Sequence, residues 1–294
     1  VDISILIVNW NSGEHLRKLL ASLEGAREIV SGILVVDNAS SDRSFDAAEN
    51  VPWVELHRME RNSGFAAAVN RGFRLTGSRH ILLVNPDLVF EDIRETLARI
   101  YHDARGDDKA AVVTCPLYSS GEGTDSVQEA FQFRPFPGLA GTLADLLFLD
   151  HFLKERGKPG KGPVRPPENG GTAVELQLQP AAALWLISRE AWDDAAGLDE
   201  RFHPAWFEDV DFCLRVRDRG WKLYLSNCAS KVYHAGGSSV PALGFRSFLL
   251  IYYRNLLRYW WKHHKWSYPL VLPAVGTGLA ARLLLHLAGI YPRR

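Results

Sequence analysis

Four apolar residues, Ile81 to Val84, run directly into Asn85-Pro86-Asp87. A short apolar run bounded by a turn signal reads as a buried strand of a parallel sheet. Pro86 has no N–H for a neighbouring strand and biases Asn85 to extended geometry, so the strand ends there. Asp87 is therefore expected at the carboxyl edge of the sheet, where open α/β folds bind ligands. A carboxylate there can hold a divalent cation, and the cation a diphosphate. The plainer role is an N-cap for the next helix, but that helix has better caps nearer its start. A second acid, Asp37, follows Ile33-Leu-Val-Val36 and opens Asp-Asn-Ala-Ser-Ser-Asp42. It serves either a turn or N-cap, or recognition of a nucleobase or ribose at a strand end.

A third acid group is Glu208-Asp209-Val210-Asp211, preceded by Phe202, Trp206 and Phe207. First-turn acids answer a helix macrodipole, and Asp211 is spaced to pair with Arg215 at i,i+4. The alternative for this group is a base for a sugar hydroxyl. Apolar walls would raise its pKa and the helix N-terminus would lower it. His234 closes a short strand before Gly236-Gly237, as a structural imidazole or as a ligand completing an oxygen-rich metal site.

The elements that must position these groups alternate. Strands are expected at Ile3 to Val8, Gly32 to Val36, Trp53 to His57, His80 to Val84 and Ala110 to Thr114. Helices are expected at Ser12 to Leu23, Gly64 to Leu75 and Ile93 to Ala104. This alternation predicts an α/β fold, a mostly parallel central sheet with helices on both faces. Lys154 to Thr172 is rich in Gly, Pro and base and reads as a mobile loop, a linker or an active-site flap. Leu176 to Ile187, Trp221 to Leu225 and Lys231 to His234 have strand character, and Glu208 to Arg219 and Gly244 to Lys265 are expected as helices.

With 294 residues, 47% of them hydrophobic, the chain can bury one large core or two modest ones. Its net charge is zero but unevenly placed: all 34 acids lie at or before Asp218, and the 76 residues after it carry 11 Lys or Arg. That asymmetry points to an anionic partner. Cys115, Cys213 and Cys228 lack paired spacing, which suits a reducing compartment and excludes the usual Cys-based zinc site. The chain opens on a strand with no leader-like stretch before it, so a cytoplasmic location is expected.

A dinucleotide fold would place G-x-G-x-x-G after the first strand, where Asn9-Trp-Asn-Ser-Gly13 stands instead; Gly276-Thr-Gly278 follows no strand, and there is no P-loop. A sugar nucleotidyltransferase would need a Gly-rich basic loop at the N-terminus, and none is present. A glycoside hydrolase would need only two opposed carboxylates, without Asp37 or a metal. A non-catalytic, membrane-bound sugar-nucleotide-binding protein is the non-enzymatic alternative.

Six segments in order resemble the family 2 glycosyltransferases, in particular their bacterial rhamnosyltransferase-like branch. They are Ile7 to Asn11, Val35 to Asp42, Asn62 to Asn70, Asn85-Pro86-Asp87, Phe207 to Arg215 and Val232-Tyr-His234, and the likeness covers about residues 3 to 265. The resemblance implies a GT-A fold over residues 1–240. It implies inverting transfer of a sugar, L-rhamnose as first choice, from a dTDP- or UDP-sugar to a saccharide acceptor in cell-surface polysaccharide biosynthesis. By the same resemblance Asp37 sits at the nucleotide base, Asn9, Asn62, Gly64, Asn70 and Asn85 belong to the donor site, and Asp87 is the ligand for Mg2+ or Mn2+ with His234 as a further one. Asp209 is the general base with Glu208 beside it. Asn85 stands where the metal motif has its first Asp, so the site carries one charge fewer.

Residues 241–294 are expected as a basic, aromatic helical segment. Arg246, Arg254, Arg258 and Lys262 fall at multiples of four and form one stripe, and Trp260 to Trp266 interleaves rings and bases as at a membrane interface. Three roles compete: an in-plane anchor, a core or homodimer contact, and a spanning helix, against which two early prolines and Arg282 argue. The anchor suits a polyprenyl-diphosphate-linked acceptor at the inner face of the cell membrane. Bulk apolar residues among the bases argue against nucleic acid.

Overall fold

The computed structural model describes residues 2–119, 125–149, 173–236 and 244–289. The segment from Lys154 to Thr172 lies outside the described residues. In chain order the elements are β1 (Ile3–Asn9), α1 (Glu14–Leu23), β2 (Gly32–Asp37), α2 (Asp46–Glu49), β3 (Val54–Arg58), α3 (Phe65–Leu75), β4 (His80–Val84), β5 (Leu88–Phe90) and α4 (Ile93–Arg105). They continue with β6 (Ala110–Thr114), β7 (Leu117–Ser119), β8 (Ser126–Val127), α5 (Glu129–Gln132), β9 (Phe133–Arg134), α6 (Leu139–Leu146), β10 (Val174–Glu175), β11 (Gln179–Pro180) and β12 (Leu184–Ser188). The last are α7 (Arg189–Asp194), α8 (Glu208–Asp218), β13 (Lys222–Leu225), β14 (Val232–His234), α9 (Phe245–His263) and α10 (Tyr268–Leu287).

Eight strands form the central sheet in the order β10-β13-β6-β12-β4-β1-β2-β3. The pairs β1·β2, β1·β4, β2·β3 and β6·β13 are parallel; β12 runs antiparallel between β4 and β6. β1 is buried along its whole length, as a strand covered on both faces must be. Its alternate residues serve two cores. Ile3, Ile5 and Ile7 pack with α1 and α4, whereas Leu6 and Val8 pack with α3, α7 and α8. Leu176 to Ile187, expected as one strand, divides in two. Pro180 has no N–H for a ladder, and Gln179–Pro180 pairs with β9 away from the central sheet before the chain turns into β12.

A second sheet of four strands, β5-β14-β7-β8, stands beside the first. Its antiparallel β14·β5 register sets His234 opposite Leu88, next to Asp87. A third apolar cluster joins α9, α10 and α6 to Phe202 and Phe207 of the chain leading into α8. Burying a side chain such as Phe207, Leu249 or Leu256 there contributes roughly 1.5–3 kcal/mol. The helices expected at the C-terminus thus pack directly on α8.

Candidate active site

The acids expected at the sheet's carboxyl edge stand there. Asp37 ends β2 and Asp87 follows the turn after β4. Asp92, not Asp87, caps α4, accepting from the backbone N–H groups of Arg94 and Glu95. A cleft of about 630 Å³ lies at the opposite, amino ends of β1–β3, lined by Ser4, Gly32 and Val54, remote from these acids.

Asp37 is fully buried. Its Oδ1 accepts from Asn9 Nδ2 at 2.8 Å and its Oδ2 from the Ser40 N–H at 3.1 Å, with Arg58 Nε 3.9 Å away. Of the two roles read for it in the sequence, the turn is seen here, with the Arg58 guanidinium beside it at the sheet edge. Asn9 is buried inside the same knot, donating also to Ser44 Oγ at 2.9 Å and accepting from Ser12, so its amide is consumed by the fold. Asn38 and Asn62 tie the turn after β2 to the loop before α3, and Asn62 Oδ1 accepts from the Gly64 N–H at 2.9 Å. Asn70, read as a donor-pocket residue, spends its side chain on the Leu198 backbone in both directions and on Glu200 Oε1. Among the described residues Asn85 makes no side-chain hydrogen bond, and it is half-buried at the mouth of the turn.

Gly64 has φ +89° and ψ 165°, a region open essentially to glycine alone. A Cβ there would stand 2.9 Å from the Pro204 carbonyl oxygen and 2.9 Å from His203 Cδ2. The neighbouring Phe65 N–H donates to that same carbonyl at 2.7 Å. The loop before α3 therefore rests on the loop that leads into α8. Gly64→Ala is expected to destabilise the fold by about 1–3 kcal/mol through backbone strain and to separate the two loops. Chemical denaturation together with kcat/KM measurement checks this; an unshifted midpoint would remove the argument.

His234 Nδ1 lies 2.8 Å from Gln128 Oε1, and Gln128 Nε2 donates to the His234 carbonyl at 2.8 Å. The amide orientation fixed by the second bond places the proton on Nδ1. His234 Nε2 then faces Asp87 Oδ2 at 3.4 Å, both groups nearly wholly buried. A neutral imidazole nitrogen and a carboxylate oxygen are both electron-pair donors, so this pair suits a shared cation. Among the described residues no group of three or more His, Cys, Asp or Glu side chains could hold a metal ion. Such a cation would complete its shell with phosphate oxygens and water, the usual habit of Mg2+.

At the start of α8, Asp209 is half-buried. Gln179 Nε2 donates to its Oδ2 at 3.1 Å, and the Val210 N–H to its Oδ1 at 2.8 Å. Burial pushes its carboxyl above the ordinary value and outweighs these donors and the Arg134 charge. Glu208 is more deeply buried, and its Oε2 has no partner among the described residues. Burial first, and the Asp209 charge second, drive its carboxyl well above the usual range. Desolvation therefore wins the contest with the helix dipole at both acids. Burial thus favours the protonated form at both acids, and more strongly at Glu208.

The aromatics before α8 are explained by packing. Trp206 and Phe207 hold φ +73° and +76°, left-handed values rare for bulky residues. Phe207 is wedged against Tyr252 and Tyr259, and Trp206 against Phe248. Asn255 Nδ2 donates to the Ala205 carbonyl at 2.8 Å. Asp211 is fully buried: Arg215 Nε donates to it at 2.8 Å, as the spacing predicts, and Lys262 Nζ and His263 Nε2 reach its Oδ1 at 2.6 and 2.7 Å. Arg254 and Arg258 donate to the His203 and Arg201 carbonyls, and Lys262 also reaches Asp199 at 2.7 Å. Much of the basic stripe thus holds the loop that leads into α8. Nothing in the sequence marks Gln128, Gln179, Asn255 or Lys262 as parts of this site, because each reaches it from a distant element.

The profile described as "Glycosyl transferase family 2" matches residues 4–172. The chain is 28% identical over 228 residues to the low-salt glycan biosynthesis hexosyltransferase Agl10 of Haloferax volcanii, covering 74% of this chain and 62%, just under two thirds, of that protein. It is 26% identical over 255 residues to the N-acetylglucosaminyl-diphospho-decaprenol L-rhamnosyltransferase of Mycobacterium tuberculosis, covering 80% of this chain and 76% of that protein. Among solved structures, the mannosyltransferase PcManGT of Pyrobaculum calidifontis, in complex with GDP-Man and Mn2+, superposes with TM-score 0.54 at 15% identity, covering 96% of this chain and 75% of that one. The chain belongs to glycosyl transferase family 2 and has the GT-A fold.

Proposed function

We propose that the protein is a divalent-cation-dependent, inverting glycosyltransferase. It takes a sugar from a nucleoside-diphosphate donor, dTDP- or UDP-linked with L-rhamnose as first choice, to a hydroxyl of a lipid-diphosphate-linked saccharide. The observation that carries this reading is the pairing of Asp87 with His234 at one sheet edge and a proton-accepting Asp209 at the start of α8. Asp87 and His234 would hold Mg2+ or Mn2+, and the ion would supply positive charge to the departing diphosphate. Asp37 and Asn62 border the nucleotide side, and Asn85 faces the sugar. Asp209 removes the proton of the acceptor hydroxyl as its oxygen attacks the anomeric carbon from the side opposite the diphosphate; one such displacement inverts that carbon. Burial and the Asp209 charge favour the neutral form of Glu208, which then adds no second negative charge beside the base.

The lipid-linked acceptor draws support from the mycobacterial relative, whose name specifies a decaprenol-linked substrate, and from α10. α10 is long and apolar enough to cross a membrane, with mean hydropathy 1.6. Pro269 and Pro273, with Arg282 buried against the Asp145 and Leu146 carbonyls, favour a helix lying in the plane of the inner leaflet instead. Leu270, Leu272, Leu284 and Leu287 would dip into the lipid from a cytoplasmic enzyme.

The test is thermal stabilisation by a panel of nucleotide sugars, with Mg2+, with Mn2+ and with chelator. Binding at 100 times Kd adds about 2.7 kcal/mol of apparent stability. One nucleotide sugar should raise Tm only when the cation is present, and Asp87→Ala should abolish the cation's share. Equal stabilisation in chelator would defeat the metal assignment, and no stabilisation by any donor would defeat the enzyme assignment.

A further inference from the structure

A second cleft, of about 570 Å³, opens between α9 and the loop that precedes the catalytic helix. Its charged lining is Arg201, Arg254, Arg258, Lys262 and Lys265 against a single acid, Asp199. Asp199 is already shared: Arg201 Nη2 lies 2.6 Å from its Oδ2 and Lys262 Nζ 2.7 Å from the same oxygen. Lys262 also binds Asp211. Arg254 and Arg258 spend one nitrogen each on neutral oxygens, the carbonyls of His203 and Arg201 and, for Arg258, Asn255 Oδ1. Among the described residues neither guanidinium pairs with a carboxylate, and the other N–H groups of both forks have no protein partner. Burial, then the nearby charges of Arg254 and Arg201, holds the Arg258 guanidinium below its ordinary pKa against the opposing pull of Asp199.

The position of the cleft says what anion it meets. Trp261 and Tyr268 line its rim and pack edge to face, with ring centroids 5.2 Å apart. Trp261 is 60% exposed, and Trp266, one residue past the cleft's Lys265, is 99% exposed. Beyond them begins α10, with its exposed leucines. Tryptophan, tyrosine and lysine side by side at the start of an apolar helix are the residues that settle at headgroup depth. No acid follows Asp218 anywhere in the chain, and the one acid in the cleft's lining, Asp199, is already paired with Arg201 and Lys262.

We propose that this cleft binds the phosphate of an anionic phospholipid headgroup, with the Arg254 and Arg258 forks and Lys265 as its donors. Guanidinium forks match phosphate oxygens in geometry and charge. The bound headgroup would lie against the same loop, residues 199–206, that supports Gly64 at one end and delivers Asp209 at the other. Docking on the bilayer and ordering of the catalytic loop then become one event. This deepens the membrane-facing reading of α9 and α10 and does not depend on which donor the enzyme uses.

The experiment reads binding alone, on the full chain. Co-sedimentation with phosphatidylglycerol–phosphatidylcholine vesicles is compared with pure phosphatidylcholine, and Tm is followed with soluble dihexanoyl-phosphatidylglycerol. A base near an anionic surface contributes about fivefold in partitioning. Arg258→Gln and Lys265→Gln are each expected to lose at least that much, and dihexanoyl-phosphatidylglycerol should raise Tm saturably while the phosphatidylcholine analogue does not. Lys265 is exposed and makes no side-chain hydrogen bond or ion pair among the described residues, so its substitution leaves the fold intact should Arg258→Gln weaken it. Arg246 is exposed on the same helix but outside the cleft, and Arg246→Gln should change partitioning less than twofold. Equal losses at Arg246 and Lys265 would mean diffuse charge and overturn the site. A Tm shift with farnesyl diphosphate but not with the phospholipid would assign the cleft to the acceptor lipid instead, and the same shift with inorganic phosphate would make it a site for free anions.

Discussion

Asp209→Asn is expected to lower kcat by about 10²–10⁴-fold, the usual worth of a positioned general base, while the donor's Kd stays within about twofold. The substitution keeps the side chain's shape and removes its capacity to take a proton; its single amide oxygen can still accept from one of the two donors, Gln179 Nε2 and the Val210 N–H, that grip the carboxylate. The companion variant Glu208→Gln separates the two acids. Glu208 is driven toward its neutral form by burial and by its neighbour, so a neutral isostere replaces like with like and kcat should fall less than about tenfold. If Glu208→Gln were the silent enzyme and Asp209→Asn the active one, the assignment of the base would be reversed. The pH profile supplies a third reading. The base works ionised, so activity rises with pH through the pKa of Asp209. Burial has moved that pKa above the ordinary 3.8, and the acid limb of kcat/KM should lie correspondingly higher.

The reasons why the sequence displays the sheet-edge acids and hides how their neighbours are placed are physical. Asp37 and Asp87 are legible because each follows an unbroken apolar run, and a buried parallel strand must release its chain at the carboxyl edge. Asp92 as the cap of α4 is local chemistry and equally readable. The pairing of Asp87 with His234 comes only through the family resemblance: His234 reaches it through the antiparallel register of β14 on β5, and register between distant segments leaves no mark in either. Polar residues are ambiguous for a related reason. Asn9 and Asn70 sit in the segments that carry the family likeness, yet their amides are spent on Asp37 and on the Leu198 backbone, holding loops in place. Helical spacing has its own blind spot. A period of four places Arg254, Arg258 and Lys262 on one stripe but does not say what the stripe meets, and here it meets carbonyls and two carboxylates.

Those carboxylates make the second large effect one of stability. Asp211→Ala should cost about 3–5 kcal/mol, since it takes the buried carboxylate away from Arg215 and His263 and leaves Lys262 with Asp199 alone. Burial pushes the Asp211 carboxyl up, but the His263, Arg215 and Lys262 partners together outweigh it and hold the group below its ordinary value. The folded pKa is thus the lower one, and between the two values the unfolded chain binds more protons. The contribution is complete above the ordinary 3.8 and disappears as pH falls through the folded value; the Asp211→Ala and parent denaturation midpoints should converge in that acid range. The loss should also reach the chemistry. α9 holds Trp206 and Phe207 in left-handed geometry through Asn255, Tyr252 and Tyr259, and Asp211 is where α8 grips α9. A loosened clasp lets that strain relax and the Asp209 carboxylate wander from the acceptor, so kcat should fall with the donor's Kd little changed. Pairing Asp211→Ala with Lys262→Met removes the lysine's charge along with its partner, and the double variant should be more stable than the sum of the two single losses predicts. Strict additivity in that cycle would mean that the clasp is no unit, and that α8 and α9 are joined by their apolar faces alone.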